Sequence, residues 1–164
     1  MSGRGRQSGL RDGPGSRRST IMRSMEFPMT AKSINYYSVV VANKAGEAER
    51  VLGALKEAGV NLTGFWGYPI KGKKAILDIA PEDTKAFKKA VKKLGLEASG
   101  KKQALFTAGD DQLGSLLDVT SKITAAGINI HAAQAISSAS GQYGAFIQVD
   151  EADFKKAKKA VGAK

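Results

Sequence analysis

The segment Ala58-Gly59-Val60-Asn61-Leu62 returns 68 residues later as Ala126-Gly127-Ile128-Asn129-Ile130. Each copy closes an amphipathic stretch and opens an apolar one. A period of this length exceeds one solenoid repeat and suits a small domain used twice. The 164 residues of the chain leave room for two such units and little else.

Hydrophobic periodicity fills in each unit. Tyr36-Tyr37-Ser38-Val39-Val40-Val41 is β-branched and aromatic, the composition of a strand. Ala48, Val51, Leu52 and Leu55 then share one face of a helix, which Gly59 ends. Val60–Tyr68 reads as a second strand, Lys74–Ala80 as a third, with Ala75, Leu77 and Ile79 alternating. Pro81 suits a first helical turn, Phe87, Ala90, Val91 and Leu94 form a second helical stripe, and Leu96–Ser99 can supply a short fourth strand. The order restarts at Gln103: strand Ala104–Thr107, a helix marked by Leu113, Leu116, Leu117, Thr120 and Ile123, strand Ile128–Ser137, strand Tyr143–Val149, and a last helix with Asp150 as N-cap. This second copy ends after its helix without a fourth strand, so its edge is either bare or covered by another element.

Residues 1–33 differ from the rest. They are rich in Gly, Ser and Arg, lack periodicity, and carry a net charge of +5 out of the total of +11. Such a segment reads as a disordered basic tail. Its favoured origin is an overextended start, with Met22, Met25 or Met29 as the first residue; the competing origins are an arm that touches nucleic acid or anionic lipid and a transit peptide.

Composition excludes several chemistries. The chain has no Cys and one His, His131, which rules out disulfides, thiol catalysis and multi-histidine metal sites. It shows no phosphate-loop spacing and no paired-carboxylate motif, so no enzyme, cofactor or metal is expected. No window approaches a membrane span. The absence of Cys agrees with a reducing compartment, and the expected location is the cytoplasm.

The order and spacing of these pieces resemble the ACT domain, a small βαββαβ regulatory module of ferredoxin-like topology. The matching residues are Gly46 before Val51-Leu52-Gly53-Ala54-Leu55, Gly114 before Leu116-Leu117, and the two Gly-(Val/Ile)-Asn-(Leu/Ile) steps. The expected architecture is α+β: two ACT-like modules in tandem, about 34–99 and 102–164, with helices on one face of antiparallel sheets. The resemblance implies allosteric binding of a small ligand, most often an amino acid, between modules. It places that ligand against the loop after the first strand and the start of the second strand. In this chain those positions are Asn43, Ala45, Gly46, Glu47, Asn61 and Leu62 in the first copy. In the second they are Asp110, Asp111, Leu113, Gly114, Ser115, Asn129 and Ile130. A homodimer and a regulated enzyme or transcription partner follow from the same resemblance.

A physical case for the loops stands beside it. Helix N-termini favour anions, and a glycine there lets a ligand approach the backbone. Glu47, Asp110 or Asp111 could hold an ammonium group. The alternative is that Asn43 and Asp111 are ordinary N-caps and the glycines only relieve turns. Asn61 and Asn129 point to the sheet's other face or to an interface, and His131 is expected to be a polar surface residue. The first loop has Lys44-Ala45 where the family often has Asp and Pro, so the two sites are expected to be unequal.

A second reading is a nucleic-acid-binding protein of the same topology, acting through the basic tail and the Lys-rich helices. RNA-recognition motifs stack bases on aromatics that share a face of the third strand. Tyr143 and Phe146 are three apart and point to opposite faces, which disfavours that use of the sheet. Apolar residues on both faces of the strands call for a cover, either a homodimer or an internal pairing of the two sheets. In the second strand, Trp66 and Tyr68 are expected to share a face with Val60 and Leu62.

Overall fold

A computed structural model describes residues 29–164; the expectations for residues 1–28 lie outside it. The elements run β1 (Thr30–Ala42), α1 (Glu47–Glu57), β2 (Leu62–Ile70), β3 (Lys74–Pro81), α2 (Thr84–Lys93), β4 (Lys102–Asp110), α3 (Ser115–Ala125), β5 (Ile130–Ser137), β6 (Gln142–Val149) and α4 (Phe154–Ala160), the last preceded by a 3-10 turn. This is βαββα twice: the expected fourth strand of the first module shrinks to one bridge, Val39 to Ala98, and the second module has none of its own among the described residues.

The strands form one antiparallel sheet of six, in the order β2-β3-β1-β4-β6-β5. β1 joins the modules. Its second half, Tyr37–Ala42, pairs with β3 of the first module, and its first half, Thr30–Tyr36, pairs with β4 of the second. Residues 30–36 therefore occupy the place of the fourth strand that the second module lacks. The C-terminal Lys164 then bonds to the far side of the same segment, through Lys164 N–H to Ala31 C=O at 3.2 Å and Ser33 N–H to Lys164 C=O at 3.0 Å. Thr30–Ser33, expected to belong to the disordered tail, is instead the start of β1: apart from Ala31 the segment is polar and carries no apolar pattern, yet it has a ladder partner in β4.

All four helices cover one face. Tyr37, Val39 and Val41 pack with Val51, Leu55, Phe87 and Val91 of α1 and α2. Met29 and Ala31, on the same face of β1, pack in the second core with Val119, Ile123, Phe154 and Ala157 of α3 and α4. Each fully buried Leu, Ile, Val or Phe in these two layers stabilises the fold by roughly 1.5–3 kcal/mol.

Several local expectations change. Pro81 closes β3 rather than opening α2, which is capped by Asp83; its carboxylate accepts from Lys85 N–H at 2.8 Å and Ala86 N–H at 3.0 Å. Asp150 precedes the 3-10 turn and its side chain caps nothing. Leu62 does not share a face with Trp66 and Tyr68. A bulge between Leu62 and Gly64 breaks the alternation, so Leu62 opposes Pro81 and packs into the core while Gly64 opposes Ala80 on the other face. The second module repeats the bulge between Ile130 and Ala132, at His131. Tyr143 and Phe146 do lie on opposite faces, Tyr143 buried under the helices and Phe146 against Phe106 and Trp66.

The helix-free face curls. Between β2 and β6 lie three strands, a separation of about 19 Å in a flat sheet. Yet Trp66 of β2 stacks on Phe146 of β6 with ring centroids 5.1 Å apart. Tyr36 lies 5.4 Å from Trp66 and Phe106 lies 5.1 Å from Phe146, which completes a run of aromatic rings across the concave face. Gly64 makes this closure possible, because any Cβ there would overlap the Phe146 ring. Part of the second apolar face is thus covered from within.

Two predictions test this architecture. Gly64→Val should destabilise the protein by roughly 1–3 kcal/mol and change the fluorescence of Trp66, the single tryptophan; a variant with unchanged unfolding midpoint and spectrum would disprove the ring contact. Relative to a chain starting at Met29, one starting at Tyr37 should lose hydrogen-exchange protection at β4 amides first, because β4 becomes an edge.

Candidate functional site

The glycines before α1 and α3 have φ of +88° at Gly46 and +89° at Gly114, a left-handed conformation that a side chain disfavours. They, not Asn43 and Asp111, occupy the N-cap positions, and no side chain caps either helix. The N-cap alternative for Asn43 and Asp111 is therefore excluded. A Cβ at Gly46 or Gly114 would meet nothing within 4 Å, so the backbone is open to an approaching molecule.

The first loop sits against the β2–β3 turn, with Asn43 N–H bonded to Lys73 C=O at 2.9 Å. Together they border an open cleft of about 550 Å³, lined by Val40, Glu47, Arg50, Lys73 and Lys74 among others. The carboxylate expected to receive an ammonium group already has partners: Glu47 pairs with Arg50 at 2.8 Å and Lys44 at 3.5 Å. The Arg50 hydrogen bond is the main cause holding the Glu47 carboxyl below its ordinary value. With Arg50, Lys73 and Lys74 around it, this end favours an anion. Ala45 is exposed beside Gly46.

The second loop closes on itself. Ser115 Oγ donates to Asp110 C=O at 3.2 Å and accepts from Gln112 N–H at 3.2 Å, while Asp111 N–H bonds to Gly141 C=O at 2.8 Å. A cleft of about 260 Å³ lies between Gly114, Ser115 and Leu117 and the end of β5 at Ile136 and Ser137. The surroundings are apolar and open to solvent: Leu113 is 109% exposed, Ile136 78% and Leu117 66%. The first loop has Ala45, Ala48 and Glu49 at the positions of Leu113, Leu116 and Leu117. The two ends thus differ in chemistry, one basic and one apolar with Asp110 and Asp111 at its rim.

Asn61 and Asn129 do not join these loops within a module. Asn61 C=O accepts from Glu82 N–H at 2.9 Å, and Leu62 and Ile130 begin their strands at the opposite end from the loops, the length of a strand or ~25 Å away. They flank the junction of the modules instead. What the sequence reading missed is the far wall of each cleft: Lys73 and Lys74 in one, Ile136 and Ser137 in the other. The 68-residue offset offered a signal, since Ile136 is the counterpart of Tyr68.

It also missed a polar cluster on the concave face. Asp78 and Ser38 are buried on neighbouring strands and hydrogen-bond to each other. Tyr68 donates its hydroxyl to Asp78 at 3.2 Å, and Lys102 Nζ, from the second module, donates to Ser38 Oγ at 2.8 Å. Burial, then the Asp78 carboxylate and Tyr68, pushes the Tyr36 phenol up to about 12. Tyr68 is raised by the same burial and the same carboxylate. Among the described residues no three His, Asp or Glu side chains gather as a metal site, and no helix is long and apolar enough to cross a membrane.

The sign of the Tyr36 effect is definite. Its folded value lies above the ordinary 10.0, so its contribution to stability is complete below pH 10 and is lost as pH rises toward 12. An absorbance titration of the four tyrosines should show Tyr36 ionising last, and Asp78→Asn should bring it down. Four superimposed titrations at the ordinary value would contradict the cluster.

No family model matches the chain, and no curated protein does. Solved structures do. Protein BT0572 from Bacteroides thetaiotaomicron superposes with a TM-score of 0.70 at 17% identity, over 80% of this chain and 88% of that one. The ligand-free regulatory subunit of aspartate kinase from Thermus thermophilus matches with a TM-score of 0.56 at 13% identity, over 84% and 95%. Aspartokinase alpha and beta subunits match at 0.51 and 16%, over 80% and 94%. At these identities the likeness is one of fold: this chain shares the ferredoxin-like α+β architecture of these proteins, the topology its repeat leads one to expect.

Proposed function

We propose that the chain is a non-catalytic regulatory protein that binds a free amino acid at its module ends and acts as a homodimer. The observation that carries this reading is the second end: an open left-handed glycine at a helix start, acids at the rim, and a ring of solvent-exposed Leu113, Leu117 and Ile136. Backbone N–H groups at the start of α3 suit a carboxylate, Asp110 or Asp111 suits an ammonium group, and the apolar ring suits a second protein surface that closes over both. The shared fold with the aspartate kinase regulatory subunit supports the regulatory part of the reading. A regulated enzyme or a transcription factor would be the recipient of the signal.

Thermal unfolding in the presence of each of the twenty amino acids tests this. A ligand present at ~100 times its Kd stabilises by about 2.7 kcal/mol, so at least one amino acid at millimolar concentration should raise the midpoint. Gly114→Val should remove that rise. Leu117→Lys should convert a sedimenting dimer to monomer. No rise with any amino acid, together with a monomeric wild type, would overturn the reading.

A further inference from the structure

The second helix of each module carries the same cationic segment. Phe87-Lys88-Lys89-Ala90-Val91-Lys92 in α2 returns as Phe154-Lys155-Lys156-Ala157-Lys158-Lys159 in α4. The Phe and Ala positions are buried in the two cores, and Lys88, Lys89, Lys92, Lys155, Lys156 and Lys159 are all exposed. Neither helix contains an acid. The neighbouring acids, Glu82 and Asp83 before α2 and Glu151 and Asp153 before α4, stay at the helix starts, where they complement the backbone dipole. The first helices of the modules did not keep their charges in this way: Arg50 stands against Asp118, Lys56 against Thr124 and Glu57 against Ala125. Duplication alone therefore does not account for the recurring lysines.

The fold sets these two helices end to end on one surface. Tyr37 donates its hydroxyl to Thr84 Oγ1 at 3.4 Å at the start of α2, and Leu96, just past its end, lines a cleft with Val40 and Val41. Phe154, at the start of α4, lines a cleft with Tyr36, and Lys164 beyond its end bonds to Ala31 and Ser33. The helices thus leave the module junction in opposite directions along β1. The strand from Ala31 to Val41 is about 33 Å long, close to one turn of a B-form duplex, which presents ~20 phosphates. The sheet curls toward its helix-free face, so the helix layer lies on the convex side. Among the described residues none of the lysines of α2 and α4 makes an ion pair, although Lys88 Nζ lies 5.1 Å from the centre of the Tyr37 ring. Lysines four apart, such as Lys85 and Lys89 or Lys155 and Lys159, repel one another until a counter-charge arrives.

We propose that the α2–α4 face binds a nucleic-acid duplex along its phosphates, without reading base sequence. Lysine ammonium groups are point charges that suit phosphate oxygens. No large hydrophobic side chain is exposed on α2 or α4, so this face offers neither a stacking platform for the bases of a single strand nor an apolar anchor for a lipid surface. A groove of about 470 Å³ between α1 and α2 has Lys89 and Lys93 on one rim and Glu57 on the other, which gives a phosphate strand a track on the α2 side. Residues 1–28 add a net charge of +4 and join the fold at Met29, in the core that α4 covers. The sheet, whose aromatic rings stack on one another, takes no part. This surface shares no residue with either loop cleft and stands whether or not they bind an amino acid.

Fluorescence anisotropy of the full chain with two unrelated DNA duplexes, each of about two helical turns, tests this. Both duplexes should bind equally, and affinity should fall by roughly 10³-fold between ~50 and ~200 mM salt, as for six phosphate contacts. Lys89→Gln combined with Lys156→Gln should lower the slope of log affinity against log salt by about 1.8; glutamine keeps the helix propensity of lysine, so folding is preserved. Lys32→Gln combined with Lys71→Gln removes the same charge from the helix-free face and the β2–β3 turn and should leave the slope as it is. The proposal is overturned if neither duplex binds, including the case in which phosphatidylserine vesicles do. It is equally overturned if the two pairs of substitutions act alike, which assigns binding to net charge or the arginine-rich tail, or if one duplex is preferred by about a hundredfold.

Discussion

The structure depends on the pairing of β1. One strand of 13 residues serves two sheets: Tyr37–Ala42 sits beside β3, and Thr30–Tyr36 sits beside β4. Without its first half, β4 would be an unpaired edge with a row of free N–H and C=O groups. With it, the two modules become one six-stranded sheet, and no flexible linker separates them. The same strand fixes the common side of the helices, because Ala31 and the preceding Met29 enter one core while Tyr37, Val39 and Val41, on the same face, enter the other. Tyr36 and Ser38, on the other face of that strand, anchor the aromatic run and the polar cluster.

Fusing the sheets creates a second problem, an apolar face without helices. The molecule solves part of it by curvature. Twin bulges at Thr63 and His131 shift the alternation of the outer strands, and bulges bend and twist the strand that carries them. Gly64 then leaves room for Phe146, and Trp66 bridges to it. Four polar members of this face, Ser38, Asp78, Tyr68 and Lys102, are linked by hydrogen bonds, which is the condition under which a buried carboxylate is tolerable.

The molecule's duplication is not functional equality. Gly46 and Gly114 adopt nearly the same backbone, because the turn into the helix demands it. Around them the side chains diverge, to Arg50, Lys73 and Lys74 at one end and Leu113, Leu117 and Ile136 at the other. The loop positions were legible because a glycine before a Leu-rich helix marks a turn. Their opposite walls were not, because Lys73 and Ile136 reach the loops only through the return of a hairpin. The Asn61 and Asn129 positions show the limit from the other side. The repeat marks them clearly, yet a whole strand separates each from its own loop.

The sequence by itself determined most of the element types, the duplication, the strand and helix order, and the alternation of Tyr37, Val39 and Val41 on one face of β1. Those properties are local: apolar period, glycine placement and the 68-residue offset act within a few turns or strands. Only the tertiary structure decided which strand covers the second module's edge, which residues the bulges turn over, and how Ser38, Tyr68, Asp78 and Lys102 come together on one face. These depend on partners tens of residues away. Ladder hydrogen bonds accept almost any side chain, so Thr30–Ser33 could pair with β4 without leaving an apolar signature in the sequence.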